Sequence, residues 1–376
     1  SSRRSRVRVP SIPQLSMKKI FQVGAGLVGK TMALELSKEY QVHLGDSNLD
    51  LLKSIKEQNE SIHINKIDVQ DKDSLSLWIS DADIVLLAVP GFLGYEALQT
   101  IIECGKDVVD ISFSPENILQ LDDLAKEKGV TAIVDAGVAP GIPNFLLGYW
   151  NNKIKIHSFD YSVGGLPKNP IPPFNYKAPF SPIDVIEEYT RPARMMIDSK
   201  IITKPALTDI KVIEIDRVGK LEAFNTDGLR SLIKTMKHIP NMKEKTLRYP
   251  GHAELIKSMI NKGLFDNNNF ESTINKLFEE WRLEDDEPEF TVLNINIFSE
   301  EKNIHYHLYD ENDIHSKSSS MARTTGFTAT ATINMLLNNL WEKKGVYPPE
   351  FVGENDKCIE FLISYLSSRN VKITRI

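Results

Sequence analysis

Between an apolar run, Ile20-Phe21-Gln22-Val23, and a helical stretch holding Leu27, Met32, Leu34 and Leu36 stands Gly24-Ala25-Gly26-Leu27-Val28-Gly29. Three glycines at that spacing can hold a pyrophosphate. Gly24 permits the tight turn, Gly26 lets the phosphates approach the backbone, and Gly29 lets the following helix pack on the strand. The helix N-terminus adds unpaired N–H groups and a partial positive charge. The same pattern alone also describes an ordinary strand-to-helix turn. Its context argues for a dinucleotide: a second apolar run, Gln41-Val42-His43-Leu44, ends at Gly45-Asp46, 22 residues beyond Gly24. An acid at the tip of a second strand receives the ribose hydroxyls. Ser47 and Asn48 follow, with no Arg to receive a 2′-phosphate, so the expected cofactor is NAD rather than NADP.

The elements that must position these residues follow in a strand-then-helix rhythm. Residues 49–55 suit a helix, 62–67 a strand by their alternation, and 75–79 a short helix. Asp68 and Val69, at the end of that strand, fall on the adenine side. Residues 83–90 form an apolar run ended by a proline, as in a central parallel strand covered on both faces, and Ala88-Val89-Pro90 should pass under the cofactor. A helix at 95–103, a strand at 107–111, a helix at 115–128 with Ser114 as its N-cap, and a strand at 130–134 complete the series. Sustained alternation predicts an α/β fold with a doubly wound parallel sheet of Rossmann type, whose ligands bind at the carboxyl ends of the strands. Asp110, Ser112 and Phe113 fall at that end, and Ser112 is counted among the cofactor-binding residues.

Residues 135–143 break the rhythm with two prolines and two glycines, so the domain boundary is drawn at 140. Residues 167–182 hold six prolines, which forbid a regular helix and predict an ordered excursion over a surface or cleft. Strands at 156–163, 211–216, 221–225, 291–298 and 304–309, with helices from Leu229, His252 and Ile274, predict a second α/β domain over 141–319 built on a mixed sheet. Residues 320–376 are expected to return as helices to the first domain (17–140).

The 376 residues carry 45 basic and 51 acidic side chains, and the hydrophobic share of 41% is that of a globular protein. All four basic residues of the first sixteen are arginines (3, 4, 6 and 8). Residues 1–16 are read as an artificial leader outside the fold, with a basic targeting segment as the alternative. The acidic remainder argues against nucleic-acid binding. Cys104 and Cys358 suggest neither a disulfide framework nor a metal centre. His305 and His307 alternate on a strand without further ligands and read as a surface strand, so no metal is expected. No apolar run approaches a membrane span, and a cytoplasmic protein is expected.

A wider set of segments resembles one family. Alongside the glycine loop stand Ile111-Ser112-Phe113, Ala139-Pro140-Gly141-Ile142, Val163-Gly164-Gly165-Leu166-Pro167, residues 222–230 (Glu-Ala-Phe-Asn-Thr-Asp-Gly-Leu-Arg) and residues 246–252 (Thr-Leu-Arg-Tyr-Pro-Gly-His). From Met17 almost to the carboxyl end, the chain resembles the saccharopine dehydrogenase (saccharopine reductase-like) family, and the last two segments resemble its lysine 6-dehydrogenase branch. The resemblance implies a Rossmann domain completed by the carboxyl-terminal helices and an inserted catalytic α/β domain that also forms a homodimer. It further implies NAD-dependent oxidation of an amino acid's terminal amine. Where saccharopine reductases have a cysteine before Gly-Gly-Leu-Pro and a Pro-Asn-Arg-Asp segment, this chain has Val163 and Asn225-Thr226-Asp227, which leaves room for a smaller substrate.

The expected reaction is oxidation of L-lysine at the ε-amine to an aldehyde that cyclises. Two rivals are a saccharopine-type or carboxylated-polyamine dehydrogenase and a catalytically silent NAD-binding dimer. Asp110 and His252 are the candidate acid/base groups; the alternatives are an acid bracing the next loop and a structural histidine at a helix start. Arg230 and Arg248 are candidates for the substrate carboxylate, since guanidinium forks match it; either could instead bridge acids. Asp227 is the candidate for the α-ammonium group, with an Asx turn as the alternative. Arg191 and Arg194, with Glu187 and Glu188, read as a solvated or interface charge network.

Overall fold

The computed structural model describes residues 17–284 and 287–376; the expected leader lies outside the described residues. In the first unit, strands and helices alternate as β1 (Lys19–Val23), α1 (Leu27–Leu36), β2 (Gln41–Asp46), α2 (Leu49–Gln58), β3 (His63–Lys66), α3 (Lys72–Trp78), β4 (Ile84–Leu87), α4 (Gly91–Glu103), β5 (Val108–Asp110), α5 (Asp122–Lys128) and β6 (Thr131–Ile133), with the central strands β1, β4, β5 and β6 buried. Then come α6 (Ile142–Asn151), β7 (Ile156–Pro167), α7 (Pro182–Thr190), the hairpin β8 (Ala193–Ile197) and β9 (Lys200–Lys204), β10 (Lys211–Ile215), β11 (Gly219–Asn225), α8 (Leu232–Thr235) and β12 (Asn241–Arg248). The chain ends with α9 (His252–Asn261), α10 (Phe270–Glu280), β13 (Glu289–Ser299), β14 (Asn303–Glu311), α11 (Ser320–Leu337), β15 (Gly345–Tyr347), α12 (Pro349–Gly353), α13 (Asp356–Ser368) and β16 (Ile373–Arg375).

The first sheet is parallel in the order β15-β6-β5-β4-β1-β2-β3. Strand order reverses between β1 and β4, the switch point at which open α/β sheets bind ligands. The second sheet runs β10-β11-β12-β7-β13-β14-β16, with β12 parallel to β7 and its other neighbours antiparallel. It is therefore the mixed sheet that the strand spacing predicts. The carboxyl-terminal segment serves both units. The α11 helix lies on α1, where a Cβ on Gly326 would come 3.0 Å from Met32, β15 extends the first sheet, and β16 pairs with β14 in the second.

Several elements depart from expectation. The helix drawn from Pro115 begins only at Asp122, after a 3-10 turn at Ile118–Leu121 that turns Ile118 and Leu121 inward. Ser114 is therefore no N-cap; it is buried with its Oγ 3.3 Å from Ser112 Oγ. His305 and His307 are half-buried rather than on an open surface, each with Nδ1 against an asparagine of β13, Asn296 and Asn294. Among the described residues no helix is long and apolar enough to cross a membrane, and no three His, Cys, Asp or Glu side chains cluster as metal ligands.

Candidate active site

The β1–α1 turn is built from close contacts that only glycine tolerates. Gly24 has φ 103°, and a Cβ there would lie 2.1 Å from the Ala88 carbonyl oxygen. On Gly29 it would lie 2.4 Å from the Gly24 carbonyl oxygen. Gln22 Nε2 ties the turn together by donating to the Gly24 and Gly29 carbonyls at 2.9 and 2.7 Å. At Gly26 nothing lies within 4 Å of a Cβ, so the side from which phosphates would approach is open. No side chain caps α1, and Leu27 is 44% exposed. Asp46 accepts hydrogen bonds from Ala25 N and Asn48 N, both at 2.8 Å, which fixes its carboxylate beside the turn. Gly26, Leu27, Val28, Asp46, Asp68, Val69, Ala88, Val89 and Pro90 are all exposed or half-buried along the carboxyl edge of the sheet. That line of open groups fits an adenine dinucleotide. Ser112 does not belong to it: it is 1% exposed, and its Oγ donates to Asp110.

Asp110 ends β5, wholly buried. Its Oδ1 accepts from Ser112 N at 2.8 Å and Ser112 Oγ at 2.6 Å, while Oδ2 has no partner. Burial raises its pKa to about 7 against the opposing Ser112 hydrogen bonds. The approach of α4 is tight here, since a Cβ on Gly94 would lie 2.1 Å from Ser112 Oγ.

The opposite wall comes from the second domain. Its helix α7 reaches over: Asp184 Oδ1 accepts from Gly91 N at 3.2 Å, and the Arg191 guanidinium lies 5.1 Å from the centre of the Phe113 ring. The sequence reading missed α7 because prolines precede it and Pro192 follows; its 184–188–191 periodicity was the available signal. The charges at 187, 188, 191 and 194 do not form a solvated network. They are partly buried against the first domain and β12.

Three candidates are engaged with protein partners. Arg230 has φ 46°, and its Nε donates to both Asp135 carboxylate oxygens at 2.9 and 3.1 Å. Its Nη1 donates to the Ser114 carbonyl at 2.8 Å, and its guanidinium stacks on Phe113. It therefore spans the two domains as a latch. Asp227 is closed by Arg194, whose backbone N, Nε and Nη2 donate to its carboxylate. His252 is 2% exposed, and both ring nitrogens are taken. Nδ1–H donates to the Phe174 carbonyl at 2.9 Å. Nε2 accepts from Tyr189 O–H at 3.0 Å, and Tyr189 in turn accepts from Arg248 Nε at 2.8 Å. Burial, then the positive Arg248, push the imidazole pKa down to about 3. A neutral ring with no free nitrogen braces Tyr189 and Arg248, and the expected acid/base role does not fit this geometry.

Arg248 remains. It is buried between Tyr176 and Tyr189, with Nη1 donating to the Leu247 carbonyl at 2.9 Å. Its Nη2 makes only long contacts, 3.5 Å to Tyr176 OH and 3.7 Å to Glu188. Beneath it, Glu244 accepts from Thr226 Oγ1 and Gly228 N at 2.7 and 3.0 Å, and burial lifts its pKa to about 8.

Comparison with known proteins agrees with this fold. A family profile described as "Saccharopine dehydrogenase NADP binding domain" matches residues 20–133, and one described as "Saccharopine dehydrogenase C-terminal domain" matches residues 137–371. Alpha-aminoadipic semialdehyde synthase of Rattus norvegicus is 23% identical over 70% of this chain and 30% of its own length. Saccharopine dehydrogenase [NADP(+), L-glutamate-forming] of Saccharomyces cerevisiae is 24% identical over 66% of this chain. The match spans 58% of that yeast enzyme. A solved structure of the saccharopine dehydrogenase (L-Glu forming) from the same yeast superposes with a TM-score of 0.76 at 18% identity, covering 96% of this chain and 100% of that one.

Proposed function

The chain belongs to the saccharopine dehydrogenase family, and on that premise we propose that it is an NAD-dependent oxidoreductase that removes the ε-amine of L-lysine. The observation that supports this reading is that α7 joins the open dinucleotide edge, through Asp184 on Gly91 N, to the buried Arg248, whose Nη2 makes only long contacts with Tyr176 OH and Glu188. Bound there, the nicotinamide supplies a hydride acceptor. The substrate's ε carbon loses hydride while the nitrogen lone pair forms the C=N bond. Water then adds at that carbon and ammonia leaves, giving 2-aminoadipate 6-semialdehyde, which cyclises to piperideine-6-carboxylate. Arg248 binds the α-carboxylate, and His252 and Tyr189 hold its guanidinium in position. Asp110, with one oxygen unpartnered at the end of β5, takes up a proton released in the reaction. The second domain is the expected homodimer surface, and the cytoplasm the expected location.

A second reading has its own support: a secondary-amine dehydrogenase of saccharopine type using NADP. Lys66 stands beside Asp46 in the β2–β3 register, and the yeast relative is named for NADP(+). Steady-state NADH or NADPH formation with lysine, ornithine and saccharopine separates the two. Turnover of lysine with NAD supports the proposal, preference for saccharopine with NADP favours the second reading, and no turnover with any amine removes both.

A further inference from the structure

Helix α7 carries Asp184, Glu188 and Arg191 at i, i+4 and i+7, a spacing that sets three side chains along one face. The outer two touch the first domain at the ends of β4 and β5, through Gly91 N and the Phe113 ring. Glu188 lies between them on the same helix face and turns toward Arg248 of β12. Its neighbours have settled partners: Asp184 on Gly91 N, and Glu187 on Arg191 Nη2 at 2.6 Å. Glu188 makes no hydrogen bond among the described residues; its nearest ion contact is Arg248 Nη2 at 3.7 Å, and its side chain keeps 22% of its surface open.

Resting on the amino-acid reading above, we propose that Glu188 receives the α-ammonium group of the substrate, beside the Arg248 guanidinium that binds the α-carboxylate. The two charges of an amino-acid head group sit on one carbon. A carboxylate and a guanidinium nitrogen 3.7 Å apart, neither closely bonded to the other, match that pair; Glu188 would gain the hydrogen bonds its side chain lacks, and Arg248 Nη2 a closer partner than Tyr176 OH at 3.5 Å. Asp227, the acid singled out for this task from its motif, is already closed by Arg194. Burial holds the Glu188 pKa at about 7 despite Arg248, so an arriving cation draws it into the charged form.

The test compares L-lysine with 6-aminohexanoate, which keeps the ε-amine and carboxylate but lacks the α-amine, by calorimetry on the NADH-saturated protein, which cannot oxidise either amine, and on Glu188→Gln. The parent is expected to bind lysine more tightly by about 10- to 100-fold, the range for a charge-assisted hydrogen bond, and E188Q to erase that preference while binding 6-aminohexanoate and NADH unchanged. A structural role would weaken both ligands alike and overturns the inference. So does a parent that does not distinguish the two ligands, or a variant that still prefers lysine. A parent that binds neither ligand overturns this inference together with the amino-acid reading, whereas the other failures leave that reading standing.

Discussion

At the scale of single residues, the site separates groups closed by protein partners from groups left with long contacts or none. Arg230 and Arg248 look alike in sequence, each within a family-like segment, yet one closes on Asp135 and the other keeps Nη2 on long contacts. Arg230→Ala strands the buried Asp135 charge and should cost about 3–5 kcal/mol of stability, read by chemical denaturation. Arg248→Lys keeps the charge but loses the fork, so the apparent substrate constant should rise with that for NAD little altered; an unchanged lysine constant would show that Arg248 does not bind the carboxylate. Asp110→Asn should lower kcat by roughly 10²–10⁴-fold, the usual contribution of a general acid or base; parental kcat would assign Asp110 to bracing alone. Asp46→Arg should shift preference from NAD toward NADP, and unchanged selectivity in paired kinetic assays would refute the ribose assignment.

At the scale of elements, legibility followed whether the buried face was apolar. The central strands of the first sheet read clearly because residues such as Ile84–Leu87 are buried on both faces, whereas the three-residue edge strand β15 lies in a segment expected to return as helices alone. β12 escaped because its inward positions, Met242, Glu244, Thr246 and Arg248, are mostly the polar residues of the site itself, so its alternation carries little apolar signal. α6 was hidden by the turn residues before it, although Pro143 sits in its first turn, where proline is tolerated. The tight turn at Gly24 and the close packing at Gly29 follow from the glycine spacing, whereas the closing of Asp227, Arg230 and His252 by distant partners has no local sequence signal. Gly29→Ala would drive a Cβ against the Gly24 carbonyl oxygen. It should cost about 1–3 kcal/mol as overpacking and weaken NAD binding, which thermal melts with and without NAD would register.

At the scale of the molecule, several acids are held in the interior with raised pKa values. Burial lifts Asp184 to about 6, Asp110, Glu188 and Glu289 to about 7, and Glu244 to about 8. Each folded pKa exceeds its unfolded value of 3.8 or 4.5, so the folded protein binds more protons between the two, and the stability these groups contribute is lost as pH rises from those unfolded values through the folded ones at about 6 to 8. The His252 pKa, lowered to about 3, acts in the opposite sense and costs stability only below its unfolded pKa of 6.5. The unfolding midpoint should therefore fall between pH 6 and 8.5, and Glu244→Gln should flatten that slope; a midpoint rising over the same range would contradict the assigned protonation.

The central claim is that the open edge of the first sheet and the wall around Arg248 together hold a dinucleotide and the ε carbon of an amino acid in reach of each other. Lysine deuterated on the ε carbon, incubated with the protein and NAD, tests it by mass spectrometry of the reduced cofactor. Deuterium should appear in NADH from that substrate and not from lysine deuterated on the α carbon. NADH that is unlabelled from the first, or labelled from the second, would contradict the account.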